Sequence, residues 1–453
     1  MISSPVVFVA RMSWVNVPKI FPAIDRARHI RTSSLIKLSA LVALSTVILA
    51  SCSSSSPAIP NSLGATIAPM QWTSPGPSQV PAFYNPPSNL KPEPQGTIIR
   101  SQKITGVPGF PSNASLWRIL YYSKNIYGND IAVSGYLAIP KSSPLPTGRP
   151  IITWAHGTTG VARICAPSIF TNASDGSGIY LAPDLTSYIN SGYIVAATDY
   201  EGLGGPGTHP YLVGQSEGQN VLDAALAAQK FPGSHASNSV VIVGHSQGGQ
   251  AALYAGQLAP SYAPSLNVVG TVAIAPLTET AEALPIALKL GPGEISLLAS
   301  AGYAWSKTYK DLPLTSIFYP SAIAKITKLE TSTCENQVQN AIAKMNPNKI
   351  ILPGFANLSS LKTYLQENSP GAVHTQSPIL ILQGLADTTI PAILAETFEK
   401  TQCPAVDDNL QLELYPGATH TGVLKPSAST MLSWIKQRLA NQPVTPGCSQ
   451  STA

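Results

Sequence analysis

Runs of apolar residues alternate with amphipathic stretches along most of the chain, beginning near residue 97. Short runs rich in Val, Ile and Leu predict buried strands, and longer stretches of helical periodicity predict helices. The predicted strands are 97–107, 115–125, 131–139, 150–155, 193–198, 240–243, 268–275, 379–383 and 410–415. The predicted helices are 219–230, 247–258, one that begins near 392 and one over about 427–439. This alternation predicts an α/β fold, in which a mostly parallel sheet is flanked by helices on both faces.

The alternation stops between residue 276 and about residue 376. The hundred or so residues in this interval are mostly helical in pattern and are interrupted by Pro and Gly. They predict a helical cap inserted into the sheet domain rather than a second sheet. The predicted organisation is therefore a core over 82–276, a cap over 277–376 and the rest of the core over 377–453.

The N-terminal region has the pattern of an export signal. The thirteen uncharged residues 38–50 follow several basic ones, which suits a signal-peptide core and is too short for a membrane span. They end in Leu49-Ala50-Ser51-Cys52, which is similar to a bacterial lipobox. Residues 1–51 therefore predict a lipoprotein signal peptide, and Cys52 a diacylated N-terminus that anchors the protein to a membrane surface. The alternative is an ordinary secretory signal whose cleavage site lies beside a cysteine.

The segment that follows, 52–81, is rich in Ser and Pro. Such a composition buries too little apolar surface to fold alone, so the segment is predicted to be a tether. On the lipobox interpretation this tether joins the folded protein to the bacterial cell envelope. On the alternative interpretation the protein is secreted.

The net charge of +5 comes entirely from the predicted signal peptide. The first 51 residues hold six bases and one acid, whereas the remaining 402 carry 21 bases and 21 acids. A neutral body offers no electrostatic basis for binding nucleic acid. The content of 44% hydrophobic and 11% charged residues excludes a chain that is disordered throughout.

The five cysteines leave an even number once Cys52 is set aside. In an exported protein the remaining four predict two disulfides, with three possible pairings. The sequence has no CxxC pair and no His/Cys cluster, so it predicts no metal site. No cofactor is expected either.

A strand followed directly by a helix carries the most specific chemical pattern. The run Gly244-His245-Ser246-Gln247-Gly248 follows the predicted strand 240–243 and opens the helix 247–258. In this G-x-S-x-G pattern the serine occupies a strained turn, and the two glycines let strand and helix approach each other. Ser246 is therefore predicted to be a nucleophile.

A serine nucleophile needs a general base, which in this kind of fold is a histidine late in the chain. Two histidines follow Ser246, namely His374 and His420. His374 falls within the predicted cap, where an exposed or structural role is expected. His420 lies in a loop of small residues after the strand 410–415, where a catalytic imidazole is presented, and is predicted to be the base.

The acid that orients this histidine is expected between the serine and the histidine in the sequence. Asp387 follows the predicted strand 379–383 across a glycine turn, and it is predicted to orient His420 and stabilise its imidazolium form. Asp407 and Asp408 are rival candidates, but they lie in a polar turn ahead of the next strand.

Acyl transfer by such a site also needs donors for a developing oxyanion. One is predicted to be the backbone N–H of Gln247, directly after the nucleophile. The other is predicted in the loop after the strand 150–155, from Thr158 as first candidate and Gly157 as second. The neighbouring His156 and His245 are predicted to orient backbone rather than to transfer protons.

Two further polar groups lie near predicted strand ends. Asp199 and Glu201 follow the strand 193–198, and a buried structural network is favoured over a catalytic role because the site already has an acid. His209 and His235 show no partner pattern.

Taken in order, these motifs resemble the secretory lipase family, typified by fungal lipase A, within the α/β-hydrolase superfamily. The resemblance runs from about residue 82 to 440. The matching stretches are 83–87, the His156-Gly157 loop, 199–202, 244–248, 384–387 and His420. The resemblance implies an α/β-hydrolase with a helical cap, a triad of Ser246, Asp387 and His420, and the disulfides Cys165–Cys334 and Cys403–Cys448.

The function that this resemblance implies is hydrolysis of a carboxylic ester, with a triacylglycerol as the substrate. A short-chain carboxylesterase, a peptidase with the same triad and a non-catalytic surface-binding module are the alternatives. Two apolar cap segments, 283–290 and 295–305, are interpreted either as an acyl-chain tunnel or lid or as the core of the cap itself.

Overall fold

The structure, a computed structural model, describes residues 62–73, 77–170, 180–289, 291–406 and 409–453. The predicted signal peptide 1–51 and the predicted lipidation site Cys52 lie outside the described residues. The rival acids Asp407 and Asp408 also lie outside them. Within these ranges, no helix has the length and apolar character that crossing a bilayer requires.

Eleven strands of the described residues form one sheet. They are β1 (Ala65–Gln71), β2 (Ile98–Thr105), β3 (Ala114–Lys124), β4 (Asp130–Pro140), β5 (Arg149–Ala155), β6 (Ile194–Thr198), β7 (Ala236–His245), β8 (Asn267–Ile274), β9 (Ile379–Gly384), β10 (Leu410–Tyr415) and β11 (Cys448–Thr452). The spatial order is β1-β2-β3-β4-β6-β5-β7-β8-β9-β10-β11. β2, β3, β4 and β6 pair antiparallel in that order, and the remaining neighbours are parallel. The predicted α/β fold with a mostly parallel sheet is confirmed.

Helices cover both faces of this sheet. The helices of the core are α1 (Leu185–Asn190), α2 (Gly214–Lys230), α3 (Gln247–Tyr262), and, after the cap, α10 (Ala392–Val406) and α11 (Leu424–Leu439). Successive residues of β7 point to opposite faces, as strand geometry requires. Ile242 packs in the same cluster as residues of α2 and α3, whereas Val241 and Val243 pack with residues of α1 and α11.

Two strands at the edges of the sheet depart from the sequence prediction. β1 lies inside 52–81, so the prediction of a tether is wrong for residues 65–71, which pair parallel with β2. β11 is fully exposed and polar, and it pairs parallel with β10. Neither strand has a buried residue, and each is held by hydrogen bonds to a neighbouring strand that periodicity does not reveal.

The cap lies between β8 and β9, as the break in periodicity predicts. Its helices are α4 (Thr280–Ala287), α5 (Pro292–Thr308), α6 (Leu314–Ile317), α7 (Pro320–Ser332), α8 (Glu335–Ile342) and α9 (Ser359–Glu367). They share a core that includes Trp305, Phe318, Ile326 and Val338, all buried. One disulfide, Cys165–Cys334, joins the loop after β5 to the start of α8 and spans 169 residues of sequence. A second, Cys403–Cys448, joins α10 to β11, and both are the pairings that the family resemblance implies.

The Cys403–Cys448 disulfide closes 45 residues of sequence around β10 and α11. We expect the double variant Cys403→Ala/Cys448→Ala to lower the free energy of unfolding by about 2–4 kcal/mol, because the cross-link restricts the unfolded chain. Urea unfolding followed by circular dichroism measures this difference. An unchanged unfolding midpoint and slope would contradict it.

Candidate active site

The site begins at the junction of β7 and α3. β7 ends at His245 and α3 begins at Gln247, so Ser246 alone turns the chain from strand to helix. Its backbone has φ 59° and ψ −120°, a combination that a non-glycine residue adopts only when the surrounding structure imposes it. The N–H of Ser246 donates to Ile274 O at the end of β8, 2.9 Å away, which helps to hold the turn.

Two glycines allow the close approach of strand and helix that this turn requires. A Cβ on Gly244 would lie 1.9 Å from Gly248 O, and a Cβ on Gly248 would lie 2.0 Å from Ala155 O of β5. Both contacts are with backbone atoms, which cannot move aside as a side chain can. The G-x-S-x-G spacing is therefore a steric requirement of this turn.

Three side chains from different strand ends form a hydrogen-bonded row. His420 follows β10, and its Nε2 lies 2.8 Å from Ser246 Oγ. Its Nδ1 lies 2.8 Å from Asp387 Oδ2, in the loop after β9. A carboxylate only accepts, so Nδ1 carries the proton and the bare Nε2 can accept the proton of the serine hydroxyl.

Asp387 is itself held in place. It is 6% exposed, and its Oδ1 accepts from the backbone N–H groups of Thr389 and Ile390, at 2.9 and 2.8 Å. Gln383 Nε2 donates to its Oδ2 over 3.2 Å. These donors hold the carboxyl group in the orientation that faces His420. His374 is in the segment after α9 and takes no part in this row.

Two backbone segments that are predicted to form an oxyanion hole meet beside Ser246. The N–H of Gln247 is the first of α3, and first-turn N–H groups have no carbonyl partner within their helix. Thr158 lies in the loop after β5, where its Oγ1 is 2.8 Å from the hydroxyl of Tyr211. Gly157 of the same loop lies close to the hydroxyl of Tyr180, since a Cβ on this glycine would be 3.3 Å from it.

The two histidines that flank these loops contact backbone carbonyls. His156 Nδ1 lies 2.6 Å from Gly157 O, and His245 Nε2 lies 3.1 Å from His420 O. Burial lowers the pKa of each imidazole to about 4, so both are neutral near pH 7. Their contacts suit the predicted role of orienting backbone.

Asp199 is part of a buried network, as expected. Its Oδ1 accepts from Ser168 N over 2.8 Å and its Oδ2 from Ser134 Oγ over 2.6 Å. Burial raises the pKa of Asp199 to about 6. Glu201 accepts from Ser216 Oγ over 2.7 Å. These bonds join β4, β6, α2 and the loop after β5 behind the site.

His209 lies close to the site, which the sequence analysis missed. Its Nε2 is 2.7 Å from the side-chain Nε2 of Gln247, and it also lies near Glu217 of α2. His209 and Gln247 are 38 residues apart in the sequence and belong to no common motif, so no pattern could have joined them.

A cavity of about 110 Å³ opens from Ser246 and Gln247 into the cap. Its lining is mostly aliphatic and aromatic, and Glu294 is the one charged residue in it among the described residues. The cap contributes Thr280, Ala283, Leu284, Ile286, Ala287, Glu294, Leu297, Leu298, Ala301, Gly302, Trp305, Phe355, Leu361 and Leu365. One face of α5 therefore lines the cavity while Ala299, Tyr303 and Ala304 pack in the cap core. Segment 295–305 therefore contributes both to the lining of the cavity and to the core of the cap.

The sequence of residues 180–447 matches the family model described as "Secretory lipase". The chain belongs to the secretory lipase family. It is therefore a serine ester hydrolase, as the sequence motifs predict. This membership also agrees with export from the cell.

Two fungal relatives show how far the similarity extends. The chain is 28% identical to lipase A of Moesziomyces aphidis over 194 residues. This aligned region covers 42% of this chain and 41% of that protein. The second relative is secreted triacylglycerol lipase LIP3 of Malassezia globosa, 24% identical over 392 residues, with 81% of this chain and 82% of that protein covered.

The fold is that of a solved lipase structure. The closed state of Candida antarctica lipase A matches with a TM-score of 0.71 and 21% identity, over 82% of this chain and 89% of that chain. The α/β-hydrolase fold is thereby confirmed.

The steric argument at the turn is tested by Gly248→Ala. Because the added Cβ would lie 2.0 Å from Ala155 O, we expect a loss of stability of about 1–3 kcal/mol and a large loss of Ser246 reactivity towards a fluorophosphonate. Gly293→Ala is the control, since its Cβ would meet nothing within 4 Å. Equal reactivity of the Gly248→Ala variant and the parent would refute the argument.

Proposed function

We propose that this member of the secretory lipase family is a triacylglycerol lipase that acts through Ser246, His420 and Asp387. The observation that carries the proposal is the row of two 2.8 Å hydrogen bonds from Asp387 through His420 to Ser246, at the mouth of an apolar cavity. A nucleophile, a base and an orienting acid in hydrogen-bond reach constitute the machinery of acyl transfer.

The reaction proceeds in two steps through an acyl-enzyme. His420 Nε2 takes the proton of the Ser246 hydroxyl as Oγ attacks the ester carbonyl, and Asp387 stabilises the imidazolium that forms. The tetrahedral intermediate collapses when the alcohol leaves with the proton from His420. Water, deprotonated in turn by His420, then attacks the acyl-enzyme and releases the carboxylic acid and Ser246.

The oxyanion of each tetrahedral intermediate is bound by backbone N–H groups. We assign these to Gln247 and Thr158, with Gly157 as the second candidate in the same loop. The position of Gln247 at the start of α3 supports this assignment, because the positive end of the helix dipole also favours a negative charge there.

The apolar cavity supports a fatty acyl chain as the acid portion of the substrate. Alkyl chains gain about 0.8 kcal/mol for each CH₂ group that is buried, and the walls of this cavity are mostly aliphatic. A short-chain carboxylesterase is the alternative. A non-catalytic binding module is disfavoured because the three side chains of the row are present and in contact.

We further propose that the exported protein is anchored to a membrane surface through acylated Cys52, in a bacterial cell envelope. The support is the run Leu49-Ala50-Ser51-Cys52 after an uncharged core of signal-peptide length. Secretion without an anchor is the alternative. The Malassezia globosa relative is described by its name as a secreted lipase. On the anchored interpretation, residues 53–64 lead from the lipid to β1.

Chain-length preference decides between lipase and esterase. We expect a soluble form that begins at Ser53 to hydrolyse p-nitrophenyl esters from butyrate to palmitate, together with emulsified triolein, because the cavity beside Ser246 is lined mostly by apolar side chains. Ser246→Ala is the blank and should show no hydrolysis above background. Activity confined to acetate and butyrate would instead identify a short-chain esterase, and equal rates for parent and blank would refute the hydrolase.

Anchoring is tested by Cys52→Ser in the full-length chain. We expect the parent to incorporate an alkynyl fatty acid and to sediment with membranes, and the variant to do neither, because the lipid is attached at this residue. Ester hydrolysis measures the amount of folded protein in each fraction. A parent that stays in the soluble fraction without label would favour the secreted alternative.

A further inference from the structure

The side chain of Gln247 points away from the reacting atoms and into a buried polar group. Its Nε2 lies 2.7 Å from His209 Nε2 and 2.8 Å from Glu217 Oε1. An amide nitrogen carries two hydrogens, so these two contacts use both donors. The residue whose backbone faces the oxyanion is thus held at its other end by two partners that are themselves fully buried.

The protonation of His209 follows from its contacts. Its Nδ1 lies 2.9 Å from Glu201 O, and a carbonyl only accepts, so Nδ1 carries the proton. The bare Nε2 therefore accepts from Gln247. Burial lowers the pKa of His209 to about 3, which keeps the ring neutral and this arrangement unchanged across the physiological range.

Glu217 connects the side chain of Gln247 to the backbone of Leu212. Its Oε1 accepts from Gln247 Nε2 and from the backbone N–H of Leu212, 2.8 Å away. Its Oε2 has no hydrogen-bond partner among the described residues. Burial raises the pKa of Glu217 to about 8, so at pH 7 the carboxyl is mostly uncharged and adds no negative charge behind the oxyanion.

The segment that Glu217 holds at Leu212 also contacts the loop of Thr158, which is the second predicted oxyanion donor. Leu212 has a positive φ of 60°, a conformation that a leucine keeps only under constraint. Its neighbour Tyr211 contacts Thr158 Oγ1 through its hydroxyl, at 2.8 Å. Hydrogen bonds thus link Gln247 to Glu217 and Glu217 to the backbone of Leu212, the peptide bond leads on to Tyr211, and the hydroxyl of Tyr211 contacts Thr158.

We propose that Glu217 and His209 are positioning residues that set the geometry of the oxyanion hole by fixing Gln247 directly and Thr158 through Tyr211. This inference rests on the proposed function, because it deepens the account of the same site. The oxyanion forms only in the transition state, so its donors affect kcat more than KM. If these residues had a merely structural role, their substitution would lower the stability of the protein without lowering kcat more than it changes KM.

The test uses the full-length protein, solubilised in detergent where it is membrane-bound, with p-nitrophenyl butyrate as substrate. Glu217→Met preserves length but removes the acceptor, and we expect kcat to fall about tenfold to a hundredfold while KM stays within about threefold. Glu217→Gln keeps a carbonyl oxygen at Oε1, since Oε2 makes no bond, and should retain kcat within about threefold.

Two further variants make the outcome decisive. Gln247→Met removes the side-chain amide but keeps the backbone N–H, and we expect the same loss of kcat, with no additional loss in the double variant with Glu217→Met. This variant decides the question even if Glu217→Met does not fold. Asp223→Leu is the matched control, because Asp223 is equally buried on α2 but bonds to Ser123 and Tyr262 instead. It should lose stability and keep the parent kcat.

The inference would be overturned if Gln247→Met retained the parent kcat. It would also be overturned if Glu217→Gln lost as much kcat as Glu217→Met. An equal loss of kcat in Asp223→Leu would also overturn it, by showing a general effect of disturbing α2. Failure of the proposed function looks different, because the parent would then be no faster than Ser246→Ala on any ester.

Discussion

The close contact between α3 and the centre of the sheet is the constraint on which the site depends. Ser246 occupies a strained backbone conformation, which costs on the order of 1–3 kcal/mol. The packing of α3 against β5, β7 and β8 offsets this cost, and it does so only because the residues of its first turns that face the sheet are small. Gly248, Gly249, Ala251 and Ala252 are all buried against the sheet. The serine is thereby held above the carboxyl ends of the parallel strands, where the other loops of the site also begin.

The register of the sheet brings the other members of the row to the same place. β9 and β10 pair in parallel, with Gly384 opposite Tyr415, so the loops that follow both strands leave the sheet side by side. Asp387 is three residues beyond Gly384, and His420 is five beyond Tyr415. The geometry of the proposed triad is thus largely a consequence of strand pairing, and the hydrogen bonds from Thr389 and Ile390 only fix the final orientation of the carboxylate.

The features that the sequence predicted well are those in which a local pattern has one structural solution. Buried parallel strands such as Ile379–Gly384 are continuous apolar runs, and the G-x-S-x-G run satisfies a steric condition that few other residues meet. β1 and β11 escaped prediction because a neighbouring strand supplies their hydrogen bonds. The contact of Glu217 with Gln247 escaped it because packing of α2 on α3 brings together residues 30 positions apart. Only the tertiary fold contains that information.

The cap and the oxyanion loop are built as one structural unit. The N–H of Glu335, at the start of α8, donates to Thr159 O over 3.0 Å, directly beside the predicted donor Thr158. The Cys165–Cys334 disulfide fixes the same end of α8, and Trp305 of α5 donates to Tyr211 O over 2.9 Å. The cap therefore does more than form the walls of the cavity. Because it is attached to the core at the loops proposed to bind the oxyanion, the proposed fit of an acyl chain between its helices and the alignment of the proposed donors depend on the same contacts.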